Sequence, residues 1–233
     1  MMKRRILLKL SGEAIKAQSA ANYDPDFMDM LAKKIVSLTQ QGIEVGIVVG
    51  WGNLYRGVQG TSIGITRATG DLMGMVGTVM NGLAMADFII QNGAPAIVLS
   101  AIEIPRVCDF FRRSAALHHF EQGRVVICVA GTGNPYFSTD TGAVQRALEM
   151  DCDMVIKATK VDGIYDSDPK VNPDARKYPE IAHQKVIEDN LRIMDLTAVA
   201  MAKDNNLTMF VCKIEEIEKL IGEDMSFGTV VKS

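Results

Sequence analysis

Between positions 131 and 141 the chain reads Gly-Thr-Gly-Asn-Pro-Tyr-Phe-Ser-Thr-Asp-Thr, a set of residues suited to holding an anion. Gly131, Gly133 and Pro135 shape the backbone. The hydroxyls of Thr132, Ser138, Thr139 and Thr141 can converge with the free amides of a helix start on a phosphate. The same residues also suit an ordinary strand-to-helix connection with a Ser/Thr/Asp cap, so the segment alone leaves both readings open. Polar residues recur at other strand ends. Lys9 is followed by Ser11-Gly12-Glu13 and taken singly reads equally as a solvated edge lysine. Gly50-Trp51-Gly52-Asn53 leads to Arg56-Gly57, where glycines allow close approach of backbone to phosphate and Arg56 can neutralise it. Arg67 and Asp71 open an apolar stretch, and Asp71 is also what a helix start favours on electrostatic grounds. The run from 157 to 169 carries Thr159, Tyr165 and Asp168, a ring to stack on a base and a carboxylate for ribose hydroxyls. Its Asp-Gly and Asp-Pro steps are also plain turn formers. Neither a Gly-x-x-x-x-Gly-Lys-Ser/Thr loop nor a Gly-x-Gly-x-x-Gly fingerprint is present, since Tyr136 takes the place of the third glycine.

These groups need strands that end side by side. Apolar runs at 5–10, 43–49, 96–100, 124–130, 153–158 and 207–212 predict strands covered on both faces, as in a parallel sheet. Between the first two, Phe27, Leu31, Ile35 and Leu38 recur at helical spacing after Asp24-Pro25 and before Gly42. A second long helix is expected over 70–91, with Leu72, Met75, Val79, Leu83 and Ala86 on its buried stripe and Met73, Met75, Met80 and Met85 filling the core. Residues 162–179 read as an irregular excursion, followed by helices near 183–190 and 195–205. The alternation predicts an α/β fold, a three-layer αβα sandwich with a largely parallel central sheet and ligands at the carboxyl ends of its strands.

Composition narrows the partners. The chain has 233 residues, 48% of them hydrophobic, and a formal net charge of -3. No global basic field draws it to nucleic acid or to an anionic membrane, and no segment is expected to have the length of a membrane span. Cys108, Cys128, Cys152 and Cys212 form no C-x-x-C pair and read as reduced core thiols.

The order of the motifs resembles the bacterial uridylate kinase family of the amino acid kinase superfamily. The resemblance rests on Lys9-Leu10-Ser11-Gly12-Glu13, the Gly50 loop through Arg56-Gly57, Gly70-Asp71-Leu72-Met73-Gly74-Met75, the Gly131 block, the Lys157 block and Met194-Asp195-Leu196-Thr197, and it spans essentially the whole chain. It implies one amino acid kinase-like domain, with the acceptor part in about 1–150 and the ATP part in about 151–233. It further implies transfer of the γ-phosphoryl group of ATP to UMP in pyrimidine nucleotide synthesis, Mg2+ carried by the ATP phosphates without a direct protein ligand, and a cytoplasmic homohexamer. By this resemblance Lys9, Arg56, Asp140 and Asp195 are catalytic, with Lys9 between the phosphates, Asp195 orienting it and Arg56 bridging the transferring region. Asp140 helps organise the cations, although a capping role suits it equally. Lys9, Leu10, Ser11, Gly12, Gly52, Arg56, Thr159, Tyr165 and Asp168 are implied at ATP. Gly50, Trp51, Asp71 and the run Thr132, Gly133, Asn134, Pro135, Tyr136, Phe137, Ser138 and Thr139 are implied at UMP, with Gly50 and Trp51 facing its phosphate through backbone amides.

One departure stands out. Where the family has Gly-Gly-Gly-Asn, this chain has Gly50-Trp51-Gly52-Asn53, so an indole must point away from the anion or fill part of its site. A turn with positive φ there would be strained by roughly 1 kcal/mol, and weakened or reshaped UMP binding is the expectation. Two other classes fit the same fold: a kinase making an acyl or carbamoyl phosphate, and a non-catalytic nucleotide-binding or storage protein.

Overall fold

The computed structural model describes residues 4–15, 22–53, 64–167, 169, 171–191, 193–222 and 224–233. Eleven strands lie among them: β1 Arg5–Leu10, β2 Glu44–Val49, β3 Ala96–Ser100, β4 Asp109–Phe110, β5 Val125–Val129, β6 Met154–Thr159, β7 Ile164–Tyr165, β8 Lys177–Tyr178, β9 Glu180–Ala182, β10 Thr208–Lys213 and β11 Thr229–Lys232. Nine form one sheet in the order β4-β3-β5-β2-β1-β6-β10-β11-β9, and β7 with β8 makes a separate two-stranded piece. Every neighbouring pair in the large sheet is parallel except β10 with β11. The six strands expected from apolar runs are its body. Of the added ones, β4 and β9 are the sheet's edges, β7 and β8 lie in the 162–179 excursion, and β11 is a four-residue strand between β10 and β9; all are too short to show a period.

The helices are α1 Pro25–Gln40, α2 Arg67–Gln91, α3 Arg113–Glu121, α4 Thr139–Glu149, α5 His183–Glu188 and α6 Leu196–Asp204, with a 3-10 helix over Ile214–Ile221. Asp24 caps α1 by accepting from the Phe27 amide at 3.1 Å, and Pro25 fits the first helical position because it has no N–H to satisfy. One apolar layer joins α1, α2 and the 3-10 helix to the sheet; α3, α4, α5 and α6 cover the other face. Side chains alternate across a strand. Ile6, Leu8 and Leu10 of β1 therefore enter the first layer, whereas Leu7 enters the second, and Lys9 shares Leu7's face, under α4.

Helix α2 departs from its expected pattern. Met75, Val79, Met85 and Ala86 are buried as expected, but Leu72 and Leu83 are exposed, as are Met73 and Met80. The buried face is made of small and polar residues, including Gly74, Gly77, Thr78, Asn81 and Gly82, so the helix approaches the sheet closely and turns large apolar side chains outward. At 25 residues, with mean hydropathy 1.5 in its most apolar window, α2 is long and apolar enough to cross a membrane. That corrects the expectation that no segment has this length; here the polar groups of its inner face are bonded to the sheet's loops.

The strongest of those bonds is a reciprocal amide pair. Asn53 Nδ2 donates to Asn81 Oδ1 at 3.0 Å, and Asn81 Nδ2 donates to Asn53 Oδ1 and to the Gly50 carbonyl, both at 2.7 Å. Asn53 Nδ2 also reaches the Asn22 carbonyl at 3.2 Å. Both asparagines are buried, so losing one partner strands polar groups away from water. Asn81→Leu is expected to lower the unfolding free energy by about 2 to 3 kcal/mol in urea titrations. The Asn53→Leu/Asn81→Leu double variant should lose clearly less than the sum of the single losses. Strictly additive losses would show that the two amides act independently.

Candidate active site

Strands β1 and β6 are parallel neighbours, and their register places Lys9 directly opposite Lys157. Both side chains therefore leave the same face of the sheet as two like charges with little solvent around them. Asp140, in the first turn of α4, lies between them: Lys9 Nζ is 2.5 Å from Oδ1, and Lys157 Nζ is 2.8 Å from Oδ1 and 3.0 Å from Oδ2. Burial pushes the Asp140 carboxyl up, but the two lysine charges outweigh it and hold the group below the usual carboxylate range. Burial, then the like charge of Lys9, bring Lys157 down to about 8 against the pull of Asp140. Two ammonium groups share one carboxylate, which leaves a net positive site at the strand ends. Residue type and motif alone do not reveal the role of Lys157. The available signal was a lysine inside each of two apolar strands, four residues into β1 and three residues into β6.

The start of α4 is held from two sides. Ser138 caps it by accepting from the Asp140 amide at 2.9 Å and from the Thr141 amide at 3.4 Å. Ser138 also donates to Asp195 Oδ2, and Thr141 Oγ1 lies 3.0 and 3.1 Å from the two Asp195 oxygens. Asp195 is itself the cap of α6, accepting from the Ala198 amide at 2.9 Å. Its carboxylate thus joins two helix starts, where its charge is favoured. Among the described contacts the carboxylate on Lys9 is that of Asp140, whereas Asp195 sits on hydroxyls and an amide.

The turns after β1 and β2 meet backbone to backbone. A Cβ on Gly12 would lie 2.6 Å from the Gly52 amide nitrogen and 2.7 Å from the Gly50 carbonyl oxygen, so no other residue fits there without moving the turn. The Gly50 amide donates to the Leu10 carbonyl at 2.9 Å. This corrects the expectation that it faces a ligand phosphate, because its proton is already committed. Leu10 is fully buried in the core and can offer a nucleotide only its backbone. On the next strand, Thr78 of α2 accepts from the Ala130 amide at 2.7 Å and steadies the left-handed pair Ala130 and Gly131.

Between these turns and α2 lies a cavity of about 380 Å³, lined by Trp51, Arg67, Asp71, Gly74, Met75, Thr78, Ala130, Gly131, Thr132, Phe137, Ser138 and Thr139. Of the residues expected at UMP, Trp51, Asp71, Thr132, Phe137, Ser138 and Thr139 are in its lining, while Gly50, Gly133, Asn134, Pro135 and Tyr136 are not. Tyr136 is 69% exposed, and its amide donates to Asp71 Oδ2 at 2.8 Å. Arg67 Nε donates to both Asp71 oxygens at 2.9 Å. Trp51 is not in the left-handed region, so the expected strain is absent, and its ring turns toward α2. On the other side of the lysines, Thr159 ends β6, and Tyr165 donates its hydroxyl to Asp162 at 2.9 Å. Arg56 and Asp168 lie outside the described residues.

An αβα sandwich with a lysine-carboxylate-lysine cluster at the ends of adjacent strands, beside a cavity, defines a protein built to hold anions, and its sequence places it in the Amino acid kinase family. The sequence profile of that family matches residues 4–213, and the chain belongs to it. Within the family it falls among the uridylate kinases. It is 45% identical over 232 residues to the uridylate kinase of Dichelobacter nodosus, covering 98% of this chain and 95% of the relative. To that of Erythrobacter litoralis it is 47% identical over 213 residues, covering 91% and 90%. The crystal structure of UMP kinase from Bacillus anthracis superposes with a TM-score of 0.95 at 33% identity, over 98% of this chain and 96% of the other. That of the Ureaplasma parvum enzyme gives 0.93 at 34%, over the full length of both.

The lysine pair makes a direct electrostatic prediction. Amine labelling of Lys157 followed against pH should show a midpoint near 8. In Asp140→Asn the midpoint should fall further, because the one anion that favours the charged amine is gone. A midpoint at the ordinary lysine value in both proteins would contradict the geometry.

Proposed function

We propose that this protein is a nucleoside monophosphate kinase that transfers the γ-phosphoryl group of ATP to UMP, giving ADP and UDP. The observation that carries the mechanism is the Lys9-Asp140-Lys157 cluster beside a cavity that ends in Asp71 and the Gly131 turn. Phosphoryl transfer needs two anions aligned and their spread charge neutralised, with little covalent work for the protein. Lys9 and Lys157 supply fixed positive charge at the strand ends. Asp140 offsets their repulsion and aims them, and its single negative charge against two positive ones leaves a surplus for phosphate. The acceptor phosphate is already largely ionised near neutral pH, so no histidine base is needed.

In this reading UMP occupies the cavity, with its ribose on Asp71 and its base and phosphate along Thr132, Phe137, Ser138 and Thr139. ATP lies across the Ser11-Gly12 and Gly52 turns toward Thr159 and Tyr165. Residues of about 1–150 serve the acceptor and about 151–233 the donor within one domain. Mg2+ would arrive held by the ATP phosphates and would supply further charge neutralisation there. In this reading the carboxylates keep their present partners, Asp140 the two lysines and Asp195 the hydroxyls of Ser138 and Thr141. Cytoplasmic action as a homohexamer completes the reading. Self-association is supported by the outer face of α2, where Leu72, Met73, Val76, Met80, Leu83 and Ile90 are all exposed, since clustered exposed apolar residues mark interaction surfaces.

An ADP-release assay with UMP, CMP, carbamate and acetylglutamate as acceptors tests the reaction. Turnover should be highest with UMP, and Lys9→Met should lower kcat about a thousandfold at an unchanged melting temperature. Tight ATP binding with no turnover on any acceptor would favour a storage or sensor role. Sedimentation of Val76→Glu/Met80→Glu should show species smaller than the wild-type assembly, and an unchanged assembly would place the subunit contact elsewhere.

A further inference from the structure

Trp51 is the only tryptophan in the chain, and its position is made by a residue one turn beyond Asp71. Indole atoms Cε2, Cζ2 and Nε1 stand 2.4, 2.6 and 2.8 Å from where a Cβ on Gly74 would sit. The ring therefore lies directly on the bare helix backbone, and any side chain at 74 would displace it. From that seat it faces two spaces. Inward it lines the cavity that holds Asp71, Thr78 and Thr132. Outward it borders an apolar groove on α2 formed by Thr69, Leu72, Met73, Val76, Gly77 and Met80. The indole is thus a wall that the cavity and the groove have in common.

We propose that Trp51, seated on Gly74, is a specificity-determining residue: its indole closes the acceptor pocket toward the outer face of α2 and sets the width available to the nucleoside monophosphate. The proposal rests on the reading of this cavity as the acceptor site. Trp51 adjoins the Gly50 turn in sequence, and Gly74 follows Asp71 by one helical turn, so the ring lies between the two turns and flanks the sugar of the acceptor. An apolar ring there adds contact area to the correct acceptor and leaves less room for a larger one.

The test combines kinetics with intrinsic fluorescence. UMP added without ATP should change the emission of wild-type Trp51. Trp51→Gly should raise KM for UMP about tenfold with KM for ATP unchanged, and should raise kcat/KM for GMP relative to UMP by a similar factor. Gly74→Ala, a substitution favourable to a helix, should raise KM for UMP by displacing the ring, and Trp51→Phe should recover part of the loss. These two variants carry the test if Trp51→Gly does not fold. A fluorescence response to UMP, with KM for UMP and the GMP to UMP ratio changed by less than about twofold in all three variants, would overturn the role of Trp51 and leave the pocket reading intact. Absence of any response to saturating UMP would overturn the pocket reading and the proposal with it.

Discussion

A buried lysine and a half-buried one on adjacent strands repel, and that repulsion must be answered before the rest of the site can exist. The parallel register of β1 and β6 puts Lys9 opposite Lys157, so both ammonium groups emerge at one point on the sheet. Neither strand can slip by one residue to relieve this, because a slip exchanges the two faces and would drive a lysine into the apolar layer now filled by Ile6, Leu8, Leu10 and Ile156. The remedy is Asp140, whose carboxylate contacts both amines. Its placement in turn requires the start of α4 at a defined spot over β1 and β6. Ser138 and Thr141 fix that spot by tying the helix start to Asp195 at the head of α6.

Helix α2 imposes the matching constraint on the acceptor side. Along one face, at spacings of three and four, Asp71 receives the Tyr136 amide, Gly74 receives the indole, Thr78 receives the Ala130 amide and Asn81 grips the Gly50 turn. A single rigid element thus sets the distance between the turns after β2 and β5. A helix with a fully apolar inner face could pack as well but could not hold two loops by hydrogen bonds. Its large apolar residues are displaced to the outer face, where they are available to a neighbouring subunit in the proposed hexamer.

The sheet was legible from sequence because a strand covered on both faces must be apolar throughout, and six such runs became β1, β2, β3, β5, β6 and β10. Edge strands such as Asp109–Phe110 and Lys177–Tyr178 carry too few residues for any period to show. The stripe on α2 was misread because hydrophobicity was taken as the mark of burial, whereas close packing there selects glycine and the loop contacts select Thr78 and Asn81. At the site, Lys9, Asp71 and the Gly131 turn were visible as residue types at strand ends. Which carboxylate meets which lysine was not visible, since Asp140 and Asp195 both stand at helix starts and differ only in what the tertiary fold brings to them. Trp51 looked like a defect in a glycine turn; its accommodation depends on Gly74, a residue linked to it only through space.

In the proposed reaction the Lys9-Asp140-Lys157 cluster stands between two bound nucleotides. A crystal structure with UMP and a non-hydrolysable ATP analogue tests it most directly. The account predicts UMP in the cavity beside Asp71, the analogue across the Ser11-Gly12 turn, and the two facing phosphates both within about 3 Å of the Lys9 amine. Phosphates bound away from Lys9, or UMP outside the cavity, would contradict it.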